Sequence, residues 1–371
     1  MKQQIVIMID GTNCGGLFGG TTNVCKLRSI VCENRFQHYE YIPGPGCVPY
    51  DKLKRMLAHC DFKRIRRAVR RTIHGCLWGE DMTKILIDGY SRLAKWYGGG
   101  FDDNATPSIF IFGFSRGACI ARKLCEMITV CGVPSNGKYA KKVVEDYRKK
   151  HIKAIDDLRK EGKLSKPVDV TFLGLWDSVN ASLRTFKVSK DATPGIRQCR
   201  HALAKHEYRR FFRHQMLSGR NVESLIFPGC HGDIGGGYED FVVLSNMAFD
   251  WVIEGAVNKG LRISSEYKRS QTYNIGLANI HYAQDDITNL MGFLGYYQRE
   301  FRKIPEHRLC ESVENTPINL QTLERINARI NEPEIKIRLR PCYRSKAIRF
   351  YLKFTKKLRS IIENSNVEML I

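Results

Sequence analysis

Ser108-Ile-Phe-Ile-Phe112-Gly113-Phe114-Ser115-Arg116-Gly117-Ala118 is the stretch on which the reading of this chain turns. Residues 108–112 form a short apolar and aromatic run without polar alternation, as in a strand covered on both faces. From Ala118 to Val130 the pattern becomes that of a helix. Between the two stands Gly-x-Ser-x-Gly. Its glycines leave room for a strand-to-helix turn so tight that the serine is lifted above the end of the sheet. That makes Ser115 a candidate nucleophile. A serine hydroxyl is a weak one unless a base takes its proton, an acid orients the base and N–H groups receive the oxyanion.

The chain offers a candidate for each role. His231 lies in Phe227-Pro-Gly-Cys-His231-Gly-Asp233-Ile-Gly-Gly-Gly-Tyr238, just past a strand-like run at 224–227. Of the 10 histidines it alone sits among glycines after a strand. A flexible loop there would let the imidazole swing over Ser115 as general base. The acid is sought between the two, because enzymes built on this turn run Ser, Asp or Glu, then His. Asp177 ends Phe172-Leu-Gly-Leu-Trp-Asp177-Ser-Val179, directly after a buried run, with a helix N-cap as its alternative role. Asp156, Asp157 and Asp169 read as solvated. Asp233 reads as a brace for the glycine-rich loop. For the oxyanion, the N–H of Arg116 follows the nucleophile. A second donor is expected from Gly11 or Thr12 in Asp10-Gly11-Thr12, after the run Ile5–Ile9, with Asp10 in support; a simple turn is the other reading of that loop. Asp10, Ser115, Asp177 and His231 each follow a predicted strand, and parallel strands present those ends at one edge.

Further strands are predicted at 39–42 and 168–176, and helices at 81–97, 139–158 and 247–257. The alternation predicts an α/β fold of the α/β-hydrolase type: a doubly wound, mostly parallel sheet with helices on both faces. It is expected over residues 1–300, with 301–371 as a basic C-terminal extension or cap.

Lys plus Arg number 60 against 38 acidic residues, a formal charge of +22. This points to anionic partners, including an anionic membrane surface. No nucleic-acid motif accompanies the charge, so no specific nucleic acid is expected. Residues 52–71 combine basic and apolar residues at helical spacing, as a cationic lid or as a solvated helix; Ala347 to Ile361 reads as a docked basic helix or a membrane contact. The 13 scattered cysteines contain no metal-ligand spacing and read as reduced thiols, with Cys119 and Cys125 as core residues. No metal or cofactor is called for. No signal peptide and no membrane-spanning run is read, so a cytoplasmic protein is expected, or one exported by a specialised secretion system.

Five stretches together resemble one family: Ile9-Asp-Gly-Thr-Asn13, Thr22-Asn-Val24, Gly113 to Ala118 with Ala121-Arg122, Gly174 to Val179, and His231 to Tyr238. The chain is similar to the α/β-hydrolase domain first catalogued as a domain of unknown function and then recognised in phospholipase effectors of type VI secretion. The resemblance covers about residues 5–260. It implies a serine esterase with phospholipase activity and Ser115, Asp177 and His231 as its triad. Two features depart from the family pattern. His206 stands where an acidic residue is expected, and residues 52–71 are unusually basic. An esterase or thioesterase for a soluble acyl substrate, and a catalytically silent binding protein on the same fold, are the alternatives.

Overall fold

Strand β1 (Gln4–Ile9) shows how the sheet is built. All six of its residues are buried, and their side chains alternate between two cores. Ile5, Ile7 and Ile9 join one cluster, and Val6 and Met8 the other. In β3 (Ser108–Phe114), Ile109 and Ile111 face the first cluster while Phe110, Phe112 and Phe114 face the second. With β2 (Gln37–Ile42), β4 (Phe172–Trp176), β5 (Cys199–Ala204) and β6 (Val222–Phe227), they form one sheet in the order β2-β1-β3-β4-β5-β6. Every pairing is parallel. A parallel sheet needs cover on both faces. Helices α2 (Met82–Gly99), α3 (Arg116–Val130), α4 (Ala140–Arg148) and α5 (Ile152–Lys160) cover the first face. Helices α1 (Asn23–Ile30) and α7 (Val243–Asn258) cover the second, where Trp176 stacks between Phe112 and Phe249.

These statements come from a computed structural model that describes residues 2–12, 21–47, 81–99, 106–180, 186–209, 212–238, 242–268 and 280–281. The basic segment 52–71, the extension 301–371 and its stretch 347–361 lie outside the described residues.

Register places the functional edge. Ile9 pairs with Gly113, Phe114 with Trp176, Trp176 with Ala202 and Ala204 with Phe227. The residues that follow these partners, at 10, 115, 177, 205 and 228, therefore leave the sheet along one border. Strand order reverses direction between β1 and β3, and the crevice at such a switch point is where ligands bind in open α/β sheets.

Three expectations are corrected. The helix expected over 139–158 is two helices, parted at Lys149-Lys150-His151, where Lys150 takes φ 59°. Strand β4 begins at Phe172, four residues later than expected. Strand β5, which pairs with β4 and β6, was not expected at all.

Candidate active site

Ser115 sits between β3 and α3 with φ 59° and ψ −126°, a conformation that ordinarily costs a non-glycine residue about 1–3 kcal/mol. The turn is held from both sides. The Ser115 amide donates to the Trp176 carbonyl at 3.1 Å, and the Ser115 carbonyl accepts from Ala118 at 3.1 Å. Gly117 makes the close passage possible: a β-carbon there would stand 2.3 Å from the Asp10 carbonyl oxygen.

Three predicted side chains come together in a row. His231 Nε2 lies 2.8 Å from Ser115 Oγ, and His231 Nδ1 lies 2.6 Å from Asp177 Oδ2. Asp177, which does not cap a helix, follows β4 with φ 34° and is fully buried. Its second oxygen accepts the Ala204 amide at 3.0 Å. Ser115 and His231 are only 3% and 7% exposed, so water barely competes for these bonds. Burial pushes the His231 imidazole below its ordinary value, opposed by the hydrogen bond and charge of Asp177. The ring is thus neutral near pH 7 and able to accept a proton.

His231 does not sit on a flexible loop as expected. It opens a five-residue helix, α6 (His231–Gly235). Its ring packs on Phe114, centroids 4.6 Å apart, and meets the edge of Phe212 at 5.0 Å. Gly235 lets the helix lie against Phe114, since a β-carbon there would come within 1.8 Å of that ring. Asp233 accepts the Cys230 amide at 2.8 Å, the His281 amide at 3.1 Å and approaches His281 Nδ1 at 2.5 Å.

The loop after β1 turns on Asp10. This fully buried carboxylate accepts from the Gly11 amide at 2.6 Å, from the Tyr41 hydroxyl at 2.6 Å, from the Thr22 hydroxyl at 2.9 Å and from the Cys25 thiol at 3.2 Å. Burial pushes its pKa up against these four donors. The Gly11 amide is therefore directed at Asp10 rather than toward Ser115. The Arg116 side chain donates through Nε to the Thr12 hydroxyl, which ties the start of α3 to the same loop.

Sequence reasoning missed a second acidic residue at this edge. Glu207 and Arg209 follow β5, are 0% and 3% exposed, and form an ion pair of 2.6 Å between Oε2 and Nη2. Glu207 Oε2 also accepts the His231 amide at 3.3 Å. The arginine lies over the Phe212 ring at 3.7 Å. The signal lies in the sequence next to His206, which occupies the position where an acid was expected: Glu207 follows it directly. His206 itself accepts the Gly229 amide through Nδ1 at 3.0 Å. Burial, reinforced by Lys205, lowers its pKa to about 4.

Among the described residues no group of three or more His, Cys, Asp or Glu side chains is placed to hold a metal ion. Cys119 and Cys125 are buried core residues of α3 with free thiols. No helix of the described residues is long and apolar enough to cross a membrane.

Residues 3–255 match the family model described as "T6SS, Phospholipase effector Tle1-like, catalytic domain". Among curated proteins, the uncharacterized protein YEL023C of Saccharomyces cerevisiae is 28% identical over 196 residues, 48% of this chain and 27% of the yeast protein. Among solved structures, a Tle1 effector bound to the VgrG spike of the type VI secretion system is similar at 18% identity and a TM-score of 0.40, over 65% of this chain and 52% of that one. An uncharacterized protein from Pseudomonas aeruginosa is similar at 14% identity and a TM-score of 0.41, over 95% of this chain and 62% of its own. The chain thus spans about a quarter of the length of the yeast relative and between half and two thirds of the two structures.

Proposed function

The chain belongs to the Tle1-like catalytic-domain family of type VI secretion phospholipase effectors, and from that premise we propose that it hydrolyses carboxylic esters of phospholipids with Ser115 as nucleophile. The observation that carries the residue-level reading is the unbroken pair of hydrogen bonds Ser115–His231–Asp177.

Ser115 Oγ attacks the ester carbonyl carbon while its proton passes to His231 Nε2. Asp177 holds the imidazole by Nδ1–H and stabilises the imidazolium. The carbonyl oxygen becomes an oxyanion beside the backbone N–H of Arg116, at the positive end of α3, with Thr12 as the second donor. Collapse of the tetrahedral intermediate expels the alcohol, which takes its proton from His231, and leaves an acyl-enzyme. Water then repeats the sequence, giving its proton to His231 and releasing the fatty acid and free Ser115. These steps call for no metal or cofactor. The formal charge of +22 suits peripheral contact with an anionic membrane, and family membership suits export by a specialised secretion system.

The test is hydrolysis of mixed phospholipid vesicles and of a p-nitrophenyl ester by wild type and Ser115→Ala. We expect the variant to lose at least about 10³-fold in rate on both. Equal rates would sink the reading. Turnover of the soluble ester alone would reassign the substrate to a small acyl ester. A fluorophosphonate probe that leaves Ser115 unlabelled would favour a silent binding protein.

A further inference from the structure

Behind His231 lies a second buried acid–base pair that the ester mechanism does not use. Glu207 Oε1 accepts the Arg209 amide and its Nε, both at 2.8 Å, while Oε2 accepts Arg209 Nη2 at 2.6 Å and the His231 amide at 3.3 Å. The fork of Arg209 is thus engaged by one carboxylate, and that carboxylate also reaches the first residue of α6. On its other side the guanidinium lies over Phe212, whose ring meets the His231 imidazole edge-on.

We infer that Glu207 and Arg209 are a positioning pair for the base: the carboxylate fixes the backbone of His231, and the guanidinium, through Phe212, fixes its ring. The inference rests on the serine-hydrolase reading above.

Two physical arguments support it. The first concerns stability. Taking a carboxylate and a guanidinium out of water costs several kcal/mol each, and replacing such a pair with apolar side chains is often neutral or stabilising. Stability alone is a poor reason for a pair this deeply buried, whereas holding a base in one geometry is a good one. The second concerns charge. The charged groups that act most strongly on the imidazole are Asp177 after β4, and Arg209 and Glu207 after β5. Two carboxylates and one guanidinium leave one negative charge in excess. That excess is matched when the imidazolium forms in the transition state. Asp177 with Arg209 alone would leave no excess, so the Glu207 carboxylate, by offsetting the guanidinium, leaves the charge of Asp177 to favour proton transfer to His231.

The test uses the full chain and the pH dependence of kcat and kcat/KM on a soluble p-nitrophenyl ester. Glu207→Gln deletes the charge and keeps one oxygen for the His231 amide and Arg209 Nη2, while its NH2 group gives up the two Arg209 hydrogen bonds accepted at Oε1. Its kcat should fall about tenfold and its acid limb should move to lower pH, because a carboxylate that favours the imidazolium is gone. The double variant Glu207→Leu with Arg209→Met removes both charges and the amide contact together. It should fold, lose about 10- to 100-fold in kcat and keep its acid limb close to that of wild type. An acid limb of folded Glu207→Gln that coincides with wild type overturns the inference. So does a double variant with wild-type kcat, and this second arm decides the matter alone where Glu207→Gln does not fold. Failure of the hydrolase reading is separately visible as equal rates for wild type and Ser115→Ala.

Discussion

The turn that carries Ser115 and the helix that carries His231 meet across one hydrogen bond of 2.8 Å, but they are held in different ways. The Ser115 turn is fixed by its immediate surroundings. Its amide continues the β3–β4 ladder to Trp176, its carbonyl starts α3, and Gly117 passes the end of β1 at a distance that no side chain would allow. None of these contacts involves a titratable group. Helix α6 is short and is held by residues from across the chain. Asn23 reaches the Ile234 carbonyl, Thr21 accepts the Gly237 amide, Asp177 and Glu207 hold His231, His206 accepts the Gly229 amide, and Asp233 grips His281. Besides His231 itself, five of these residues are ionisable: Asp177, Glu207, His206, Asp233 and His281. The nucleophile is thus placed by the sheet, and the base by an assembly of polar groups that answers to pH and to distant substitutions.

The two regions are joined through Asp177, and breaking that joint carries the largest expected effect. Asp177→Asn keeps the shape and the acceptor for the Ala204 amide but cannot hold the Nδ1–H tautomer or offset the imidazolium. kcat on a p-nitrophenyl ester should fall by about 10⁴-fold, with thermal stability much less affected. Retention of a tenth or more of wild-type kcat in a folded variant would mean that His231 is oriented without Asp177.

The same division explains what the sequence made legible. The Ser115 turn, its strand and its helix are encoded within about twenty consecutive residues, and both Asp177 and His231 could be found because each follows a strand. Long-range polar support leaves no such trace. Strand β5 escaped notice because Arg200 and His201 interrupt its apolar run; in the fold Arg200 is neutralised by Glu223 and Glu254. The break between α4 and α5 has neither glycine nor proline, and Lys150 adopts a left-handed conformation that its residue type does not announce. Helix α6 is too short, and too rich in glycine, for any periodicity. Glu207 and Arg209, two residues apart, lie in no periodic pattern that would mark them as buried.

A second prediction sharpens the contrast through acid. His206 has a folded pKa of about 4 against an unfolded value of 6.5. The unfolded chain therefore takes up a proton first as pH falls. The stability contributed by neutral His206 is fully present above pH 6.5 and is lost progressively toward pH 4, by about 3 kcal/mol in all. His231, also depressed by burial, adds to the same slope. His206→Asn offers the Gly229 amide an oxygen that does not titrate, so its unfolding free energy should fall less between pH 6.5 and 4. Urea denaturation across that range measures the difference. Hydrogen exchange should rise in the amides of 229–235 before it rises in those of 115–119. An identical pH slope in variant and wild type would remove His206 from the assembly.

The smallest effect comes from the most distant support. Asn23, the first residue of α1, is fully buried, and its Nδ2 donates to the Ile234 carbonyl at 2.8 Å and to the Ser245 carbonyl at 3.0 Å. Asn23→Ala strips the donor from two carbonyls, one in α6 and one in α7, and leaves a small void. Buried acceptors that lose their partner cost roughly 1–3 kcal/mol, so a loss of about 2 kcal/mol is expected. Because one of those carbonyls lies in the helix that begins with His231, kcat should also fall a few-fold. Ser29→Ala on the same helix is the control: its hydroxyl bonds the Lys26 carbonyl on the exposed side, and both stability and kcat should stay near wild type. If Asn23→Ala lowers stability as expected but leaves kcat unchanged, α6 is held firmly enough without α1. The assembly around His231 would then reduce to its nearest members, Asp177 and the Glu207–Arg209 pair.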